Sequence, residues 1–195
     1  MRQSQSIYNS ARLAANYAYN RPPIHHRIIQ AIGEHLHITT RVGRALDIGC
    51  GAGLSTAALE PLAEIAVGIE PVRTMLTHSH AVAPRALFLV GQAERLPFSA
   101  EVFDLITAAG SVNYADLDLF LPEAARVLAP GGILIIYDFS VGRRLRSSDL
   151  LEEWHAAFER RYPSSSEYAL DARALSYSRS GLRLESYEEL RLQCL

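Results

Sequence analysis

Residues Arg44 to Ser55, RALDIGCGAGLS, constrain this chain more than any other dozen, because they join an apolar strand to three alternating glycines and then to a helix start. Ala45, Leu46 and Ile48 read as a short strand of the buried, parallel-sheet kind. Gly49, Gly51 and Gly53 let the backbone turn sharply with no Cβ in the way, so a ligand can lie directly on the loop. The helix opened by Leu54 to Leu59 points its first unpaired N–H groups back at that loop, which favours acceptor atoms and negative charge. A plain tight turn is the alternative, but the combination is that of a nucleotide-cofactor site.

Spacing separates two cofactor classes. A dinucleotide-binding turn is written G-x-G-x-x-G, and counting from Gly49 puts Leu54 where its third glycine belongs. The pattern present is D-x-G-x-G-x-G, with Asp47 at the strand end, where an acid repels a pyrophosphate and attracts an ammonium or sulfonium. Further along, Ile65 to Ile69 forms a second apolar strand ending in Glu70, 17 residues past Gly53. An acid there commonly binds a ribose diol, although it also suits a strand-end cap for the following helix. Leu87 to Val90 reads as a third strand, followed by GQAERLPF, FDLITAAGSVNYAD and LPEAARVLAPGGILIIYDFS.

In that order these segments resemble the class I S-adenosylmethionine-dependent methyltransferases, in the small-molecule branch that includes ubiquinone-biosynthesis and trans-aconitate methyltransferases. The resemblance covers roughly residues 17–140 and extends to an N-terminal segment, YAYNRPP, of the kind that helps close the cofactor site. It implies an α/β, Rossmann-like, doubly wound and mostly parallel sheet with helices on both faces and an N-terminal helical cap. It also implies S-adenosylmethionine as cofactor, S-adenosylhomocysteine as product, and a small-molecule oxygen, nitrogen or carbon nucleophile as acceptor. By that resemblance, Gly49, Cys50, Gly51 and Gly53 admit the methionine and ribose portions, Asp47 holds the cationic end, and Glu70 beside Pro71 takes the ribose hydroxyls. Met75 packs on the adenine, whose edge Gln92, Ala93 and Glu94 read, Ala109 and Gly110 lie under the methionine moiety, and Tyr17 with Arg21 reaches its carboxylate. On the acceptor side the candidates are Ser111, Asn113, Tyr114, Tyr137 with Asp138, and Trp154 with His155. No residue is singled out as a general base.

At 195 residues with 49% hydrophobic content, the chain is expected to be a single domain: a helical lead over 1–40, a cofactor-binding core over 41–140, and a substrate-side helix and last strand over 141–195. Strand and helix alternate, as a parallel sheet requires. Leu117 to Leu128 shows helical spacing with Leu121, Ala125 and Leu128 on one stripe, Pro122 in the first turn and Pro130-Gly131-Gly132 ending it. Ile133 to Ile136 reads as a strand buried on both faces, and Gly181 to Leu195 as one more strand. The family's antiparallel final strand has no counterpart, so the C-terminal sheet edge is left incomplete, and pairing of two copies through it is an expectation.

A net charge of -2 supplies no field to gather phosphates, and the Asn/Asp-Pro-Pro-Tyr motif of amino-methylating nucleic-acid enzymes is missing, so a nucleic-acid partner is not expected. Two cysteines in no metal-ligand spacing, and the absence of an apolar leader or span, lead to a cytoplasmic expectation with no membrane partner and no metal. His25 and His26 are expected on a helix surface. Two other readings stand beside methyl transfer: an NAD(P)-linked oxidoreductase, which Leu54 and Asp47 disfavour, and a non-catalytic S-adenosylmethionine-binding domain.

Overall fold

Five strands in the order β3-β2-β1-β4-β5, every neighbouring pair parallel, form the sheet around which this computed structural model is built; it describes residues 8–139, 149–162, 175, 177–187 and 189. The strands are β1 (Val42–Ile48), β2 (Ala63–Glu70), β3 (Leu87–Val90), β4 (Phe103–Ala109) and β5 (Leu128–Tyr137). Because parallel neighbours need crossovers, helices cover both faces, as expected. One face carries α5 (Leu117–Val127), which buries Phe120, Leu121, Ala124 and Val127 against Leu46, Ile48 and Ile106. The other carries α2 (Ile24–His35) and the short α3 (Leu54–Leu59) and α4 (Ser79–Val82), which surround Ala45, Ala66 and Leu105.

Ahead of the sheet, α1 (Ala11–Asn20) starts at Ser10, whose hydroxyl accepts from Leu13 N–H at 3.4 Å, and stops before Arg21-Pro22-Pro23. It lies across a 3-10 turn, Arg73–His78, that follows β2 in place of the regular helix start. The topology reverses between β1 and β4: from β1 the chain runs outward through β2 to β3, then returns to β4 on the opposite side. In open parallel sheets that reversal opens a crevice beyond the carboxyl ends of the strands, where ligands bind.

Three expectations need correction. In α5, Pro122 is the sixth residue rather than part of the first turn; its ring is exposed, so the missing N–H falls on the outward side of the helix. The buried stripe accordingly runs through Phe120, Leu121, Ala124 and Val127, with Ala125 only half-buried. Second, β5 starts at Leu128, takes Pro130-Gly131-Gly132 into the strand through a register irregularity, and is not buried on both faces: Ile133 is 37% exposed. As the last strand of the sheet among the described residues, it lacks a neighbour to close its outer side. Third, residues 182–187 form no strand; Leu182 instead packs with Tyr177 on the α5 side of the core. The rest of the C-terminal strand expectation, including Leu190, Leu192 and Cys194, lies outside the described residues.

Candidate functional site

Everything the glycine motif brings together stands at the carboxyl ends of β1, β2 and β4, at the reversal point. Gly49 and Cys50 donate their N–H groups to Ile69 O at 2.8 and 3.1 Å, which ties the loop to β2. Gly49 is held so close to the β4 side that a Cβ there would stand 2.4 Å from Ser111 Cβ, and Ser111 Oγ donates to Ile48 O at 2.7 Å. Gly51 is different: at φ +54° its nearest neighbour is the Met75 methyl at 3.6 Å, so glycine is demanded by conformation and not by crowding.

Two carboxylates support this loop from below. Asp47 is fully buried, and its oxygens accept hydrogen bonds from Ser55 Oγ and Thr56 Oγ1, both at 2.6 Å, and from Thr107 Oγ1 at 3.0 Å. Burial pushes its pKa up to about 6, and the three hydroxyls work against that rise. Asp47 therefore pins the start of α3 and the β1–β4 seam, and it holds no oxygen out on the loop surface, where the cationic end of a cofactor was expected to meet it. Glu70, also buried, accepts from Gly51 N–H through Oε2 at 3.1 Å and from Val72 N–H through Oε1 at 2.9 Å. Desolvation raises its pKa, opposed by those two backbone donors. Each of its oxygens keeps a lone pair for a ligand hydroxyl. Cys50 sits under the loop against Gly68, and burial beside Asp47 and Glu70 pushes its thiol well up and leaves it unreactive.

The N-terminal segment folds over this end of the sheet. Arg21 lies 4.1 Å above the Tyr17 ring, so the two residues expected to act together do meet, as a cation–π pair. Tyr8 joins them: its ring stands edge-on to Tyr17 and Tyr114, and its hydroxyl shares a 3.1 Å hydrogen bond with that of Tyr114. Burial and that bond keep the Tyr8 phenol protonated. Thr74 Oγ1 donates to Asn9 Oδ1 at 2.5 Å, and the Tyr19 hydroxyl meets His78 Nδ1 at 3.2 Å, so α1 is fastened onto the turn that carries Met75.

On the far side of the reversal the groups are more open. Gly110 N–H donates to Tyr137 O at 2.8 Å, which sets the end of β4 against the end of β5. Tyr137 is buried, and its hydroxyl lies 2.9 Å from His25 Nδ1, with His25 edge-on to Phe139. His25 is thus not a surface residue: burial, then repulsion from His26 and Arg21, lowers its pKa to about 4. Asn113 Nδ2 approaches Asp138 Oδ2 at 3.5 Å, whereas Asn113 Oδ1 is buried with no partner among the described residues.

Other candidates fall less neatly. Gln92 is exposed and Ala93 half-buried, while Glu94 spends an oxygen on Asp116 N–H at 2.9 Å, tying the post-β3 turn to the start of α5. Pro71 is exposed at the β2 turn, and Ala109 is half-buried at the end of β4. Trp154 stands on α6 (Leu150–Arg161), a helix with no buried residue; it is 57% exposed and stacks on Phe158 at 5.2 Å. The residues that sequence reasoning missed are Ser55, Thr56 and Thr107, Tyr8, and His25. Only the Ser-Thr pair directly after the glycine motif left a local signal.

With this geometry in place, comparison with known proteins is direct. Residues 46–136 match the model of a methyltransferase domain. A ubiquinone biosynthesis O-methyltransferase from Azorhizobium caulinodans is 37% identical over 98 residues, covering 48% of this chain and 39% of that one. A phthiotriol/phenolphthiotriol dimycocerosates methyltransferase from Mycobacterium leprae is 35% identical over 120 residues, covering 59% and 42% respectively. The chain thus spans about two fifths of the length of these curated relatives. Among solved structures, a type II methyltransferase assignment from Anaeromyxobacter dehalogenans superposes with a TM-score of 0.61 at 25% identity, over 72% of this chain and 59% of that chain. Among the described residues, no helix is long and apolar enough to cross a membrane, and no three potential metal ligands gather.

Proposed function

From the match of residues 46–136 to a methyltransferase domain, we propose that this chain transfers a methyl group from S-adenosylmethionine to a small-molecule nucleophile. One observation carries the cofactor assignment: the Gly49–Gly53 loop is bonded directly to the Glu70 carboxylate, with Met75 against Gly51. A carboxylate with spare lone pairs, an apolar side chain beside it and a loop without side chains match a ribose diol, an adenine and the chain joining them. The residues present fit the cofactor, whose bound sulfonium supplies a methyl already activated for displacement.

The chain's own residues then bind and orient. Glu70 accepts the ribose hydroxyls, and Met75 with Ala93 packs the adenine, while Gln92 and Glu94 stand at its edge. Arg21, held on the Tyr17 ring, is placed for the methionine carboxylate. Ala109 and Gly110 floor the methionine side. Asp47 acts at one remove, by fixing the loop through three hydroxyls. Orientation of two reactants alone contributes up to about 7–11 kcal/mol, so positioning is the main work of such a site. The domain reading extends over the whole chain as one unit, in the cytoplasm. Pairing of two copies through the C-terminal edge of the sheet, where β5 is the last strand among the described residues, remains part of the proposal; a clean monomer by size-exclusion chromatography at high concentration contradicts it.

Replacing Gly51 by Val tests the cofactor placement, because a β-branched residue does not adopt φ +54° without strain. The variant should stay folded and lose S-adenosylhomocysteine binding by more than about a hundredfold, roughly 2.7 kcal/mol. Unchanged affinity refutes the placement.

A further inference from the structure

α2 meets the sheet along one helical stripe, where Ile28, Ile29 and Ile32 pack beside Ala45, Ala66 and Leu105. His25 stands at the head of that stripe, three residues before Ile28, at a position where an apolar side chain would serve packing equally well. Its ring lies instead with Nδ1 2.9 Å from the Tyr137 hydroxyl, edge-on to Tyr137 at 5.9 Å and to Phe139 at 5.3 Å. Both groups are held uncharged at neutral pH. Burial, with the nearby Asp47 charge adding to it, keeps the phenol protonated, and burial keeps the imidazole neutral. Two neutral groups thus share one hydrogen bond in a largely desolvated place, where such a bond is stronger than in water.

Tyr137 is the fixed member of this pair. It lies opposite Ala109 in the β4–β5 ladder, its carbonyl accepts from Gly110 N–H at 2.8 Å, and its side chain is buried. His25 belongs to a helix start with no side-chain cap: α2 begins at Ile24 behind Pro23, which has no side-chain acceptor to offer. Ahead of it, Arg21-Pro22-Pro23 joins α1 to α2, and Ile24 N–H closes a tight turn on Pro22 O at 2.8 Å. The two prolines fix their own φ angles, so the elbow is stiff and placing His25 places Arg21, four residues earlier. Arg21 is close enough for its charge to act on His25, and on its other side it rests 4.1 Å above the Tyr17 ring.

We propose that the His25–Tyr137 bond is a latch that positions Arg21 for the amino-acid end of the cofactor. This inference rests on the methyl-transfer reading, in which Arg21 is placed for the methionine carboxylate. Clipped to the sheet at His25 and to α1 at Tyr17, the guanidinium is held between two points instead of riding on a free linker. A long cation restrained in this way loses less freedom when it meets a carboxylate, and more of the contact appears as affinity. His25 and Tyr137 touch neither reactant in this scheme; they are positioning residues. The adenine and ribose are held by Met75 and Glu70, in the β2 end and the turn after it, so the latch does not act on them.

Calorimetric titration of the full chain with two probes tests this: S-adenosylhomocysteine, which carries the amino-acid end, and 5′-methylthioadenosine, which carries adenine, ribose and sulfur without it. Tyr137→Phe, His25→Leu and the double variant should each weaken S-adenosylhomocysteine by about three- to tenfold, the worth of one hydrogen bond, and leave 5′-methylthioadenosine within about twofold. The double variant should lose no more than either single one, because all three remove the same bond. His25→Asn, whose amide takes the place of Nδ1, should recover affinity better than His25→Gln, which reaches the place of Nε2. In an Arg21→Ala chain the latch variants should add no further loss. Tyr137→Phe, which removes a single oxygen, carries the test if His25→Leu fails to fold, and the Arg21→Ala comparison carries it if the wild type binds only S-adenosylhomocysteine. Equal weakening of both probes would make the contact a part of the general fold and overturn the inference. So would unchanged S-adenosylhomocysteine affinity in the latch variants, or a loss undiminished in the Arg21→Ala chain. A wild type that binds neither probe sinks the methyl-transfer reading itself.

Discussion

The two sides of the β1–β4 reversal are built differently. On the β1–β2 side the buried carboxylates and the loop are well bonded: Asp47 is surrounded by three hydroxyls, Glu70 spans two backbone amides, and the glycine loop is anchored on Ile69. On the β4–β5 side, the Asn113 carbonyl has no partner among the described residues, Asp138 is exposed, and Ile133 of the outer strand is partly uncovered. A completed network is rigid and specifies one geometry, whereas an incomplete one waits for atoms from elsewhere. Under the methyl-transfer reading proposed above, the difference separates a side built to hold one geometry from a side left more open.

The largest effect should come from breaking the completed side. Asp47→Ala leaves the hydroxyls of Ser55, Thr56 and Thr107 buried without their shared acceptor and should cost about 3 kcal/mol or more, on the basis of 1–3 kcal/mol for each unpaired buried group. A urea midpoint shift that, multiplied by an unchanged slope, amounts to less than a quarter of that would show that Asp47 is not the keystone of the loop.

Acid titration sharpens the same contrast, because the buried carboxylates on one side and the half-buried His25 on the other respond in opposite directions. Asp47, raised to about 6 from 3.8, binds its proton more tightly in the fold; its contribution is full below 3.8 and is lost as pH rises through 6. Glu70, also raised, acts in the same sense. His25, lowered from 6.5 to about 4, resists protonation in the fold; its contribution is full above 6.5 and is lost as pH falls towards 4. Between pH 4 and 6 the two slopes oppose each other. Asp47→Asn should therefore steepen the loss of stability on acidification, and His25→Gln should flatten or reverse it. Thermal melts at pH 4.5, 5.5, 6.5 and 7.5 decide this, and parallel curves for both variants and the wild type would contradict it.

The smallest effect belongs to the cover over the crevice. Tyr8→Phe removes the hydroxyl bonded to Tyr114 while keeping both ring contacts, so it should cost about 0.5–1.5 kcal/mol and weaken S-adenosylhomocysteine binding only a few-fold. An effect as large as that of Gly51→Val would mean that the cover, rather than the loop, carries the binding energy.

The strand–glycine loop–helix unit and the later strands up to β4 were legible in the sequence because their signals are local: apolar runs, alternating glycines, and an acid near the ends of β1 and β2. That an acid, Glu70, ends β2 was readable for the same reason. The role of Asp47 was not, since its partner Thr107 lies 60 residues away. Tyr8 meets Tyr114 across 106 residues and His25 meets Tyr137 across 112, so only the folded chain shows that one residue covers the crevice and the other is buried. The exposure of Ile133 escaped notice because an apolar run looks the same in a central strand as in an edge strand. The helix start was read correctly at Leu117, and Pro122, as the sixth residue from it, belongs to the second turn rather than the first.

Isothermal titration of the wild-type chain with S-adenosylmethionine, S-adenosylhomocysteine and NADH, run separately, tests the central claim most directly. Micromolar binding of the first two with none of NADH is the predicted result. Preference for NADH, or binding of none of the three, would contradict the assignment of the glycine loop and Glu70 to an S-adenosylmethionine site.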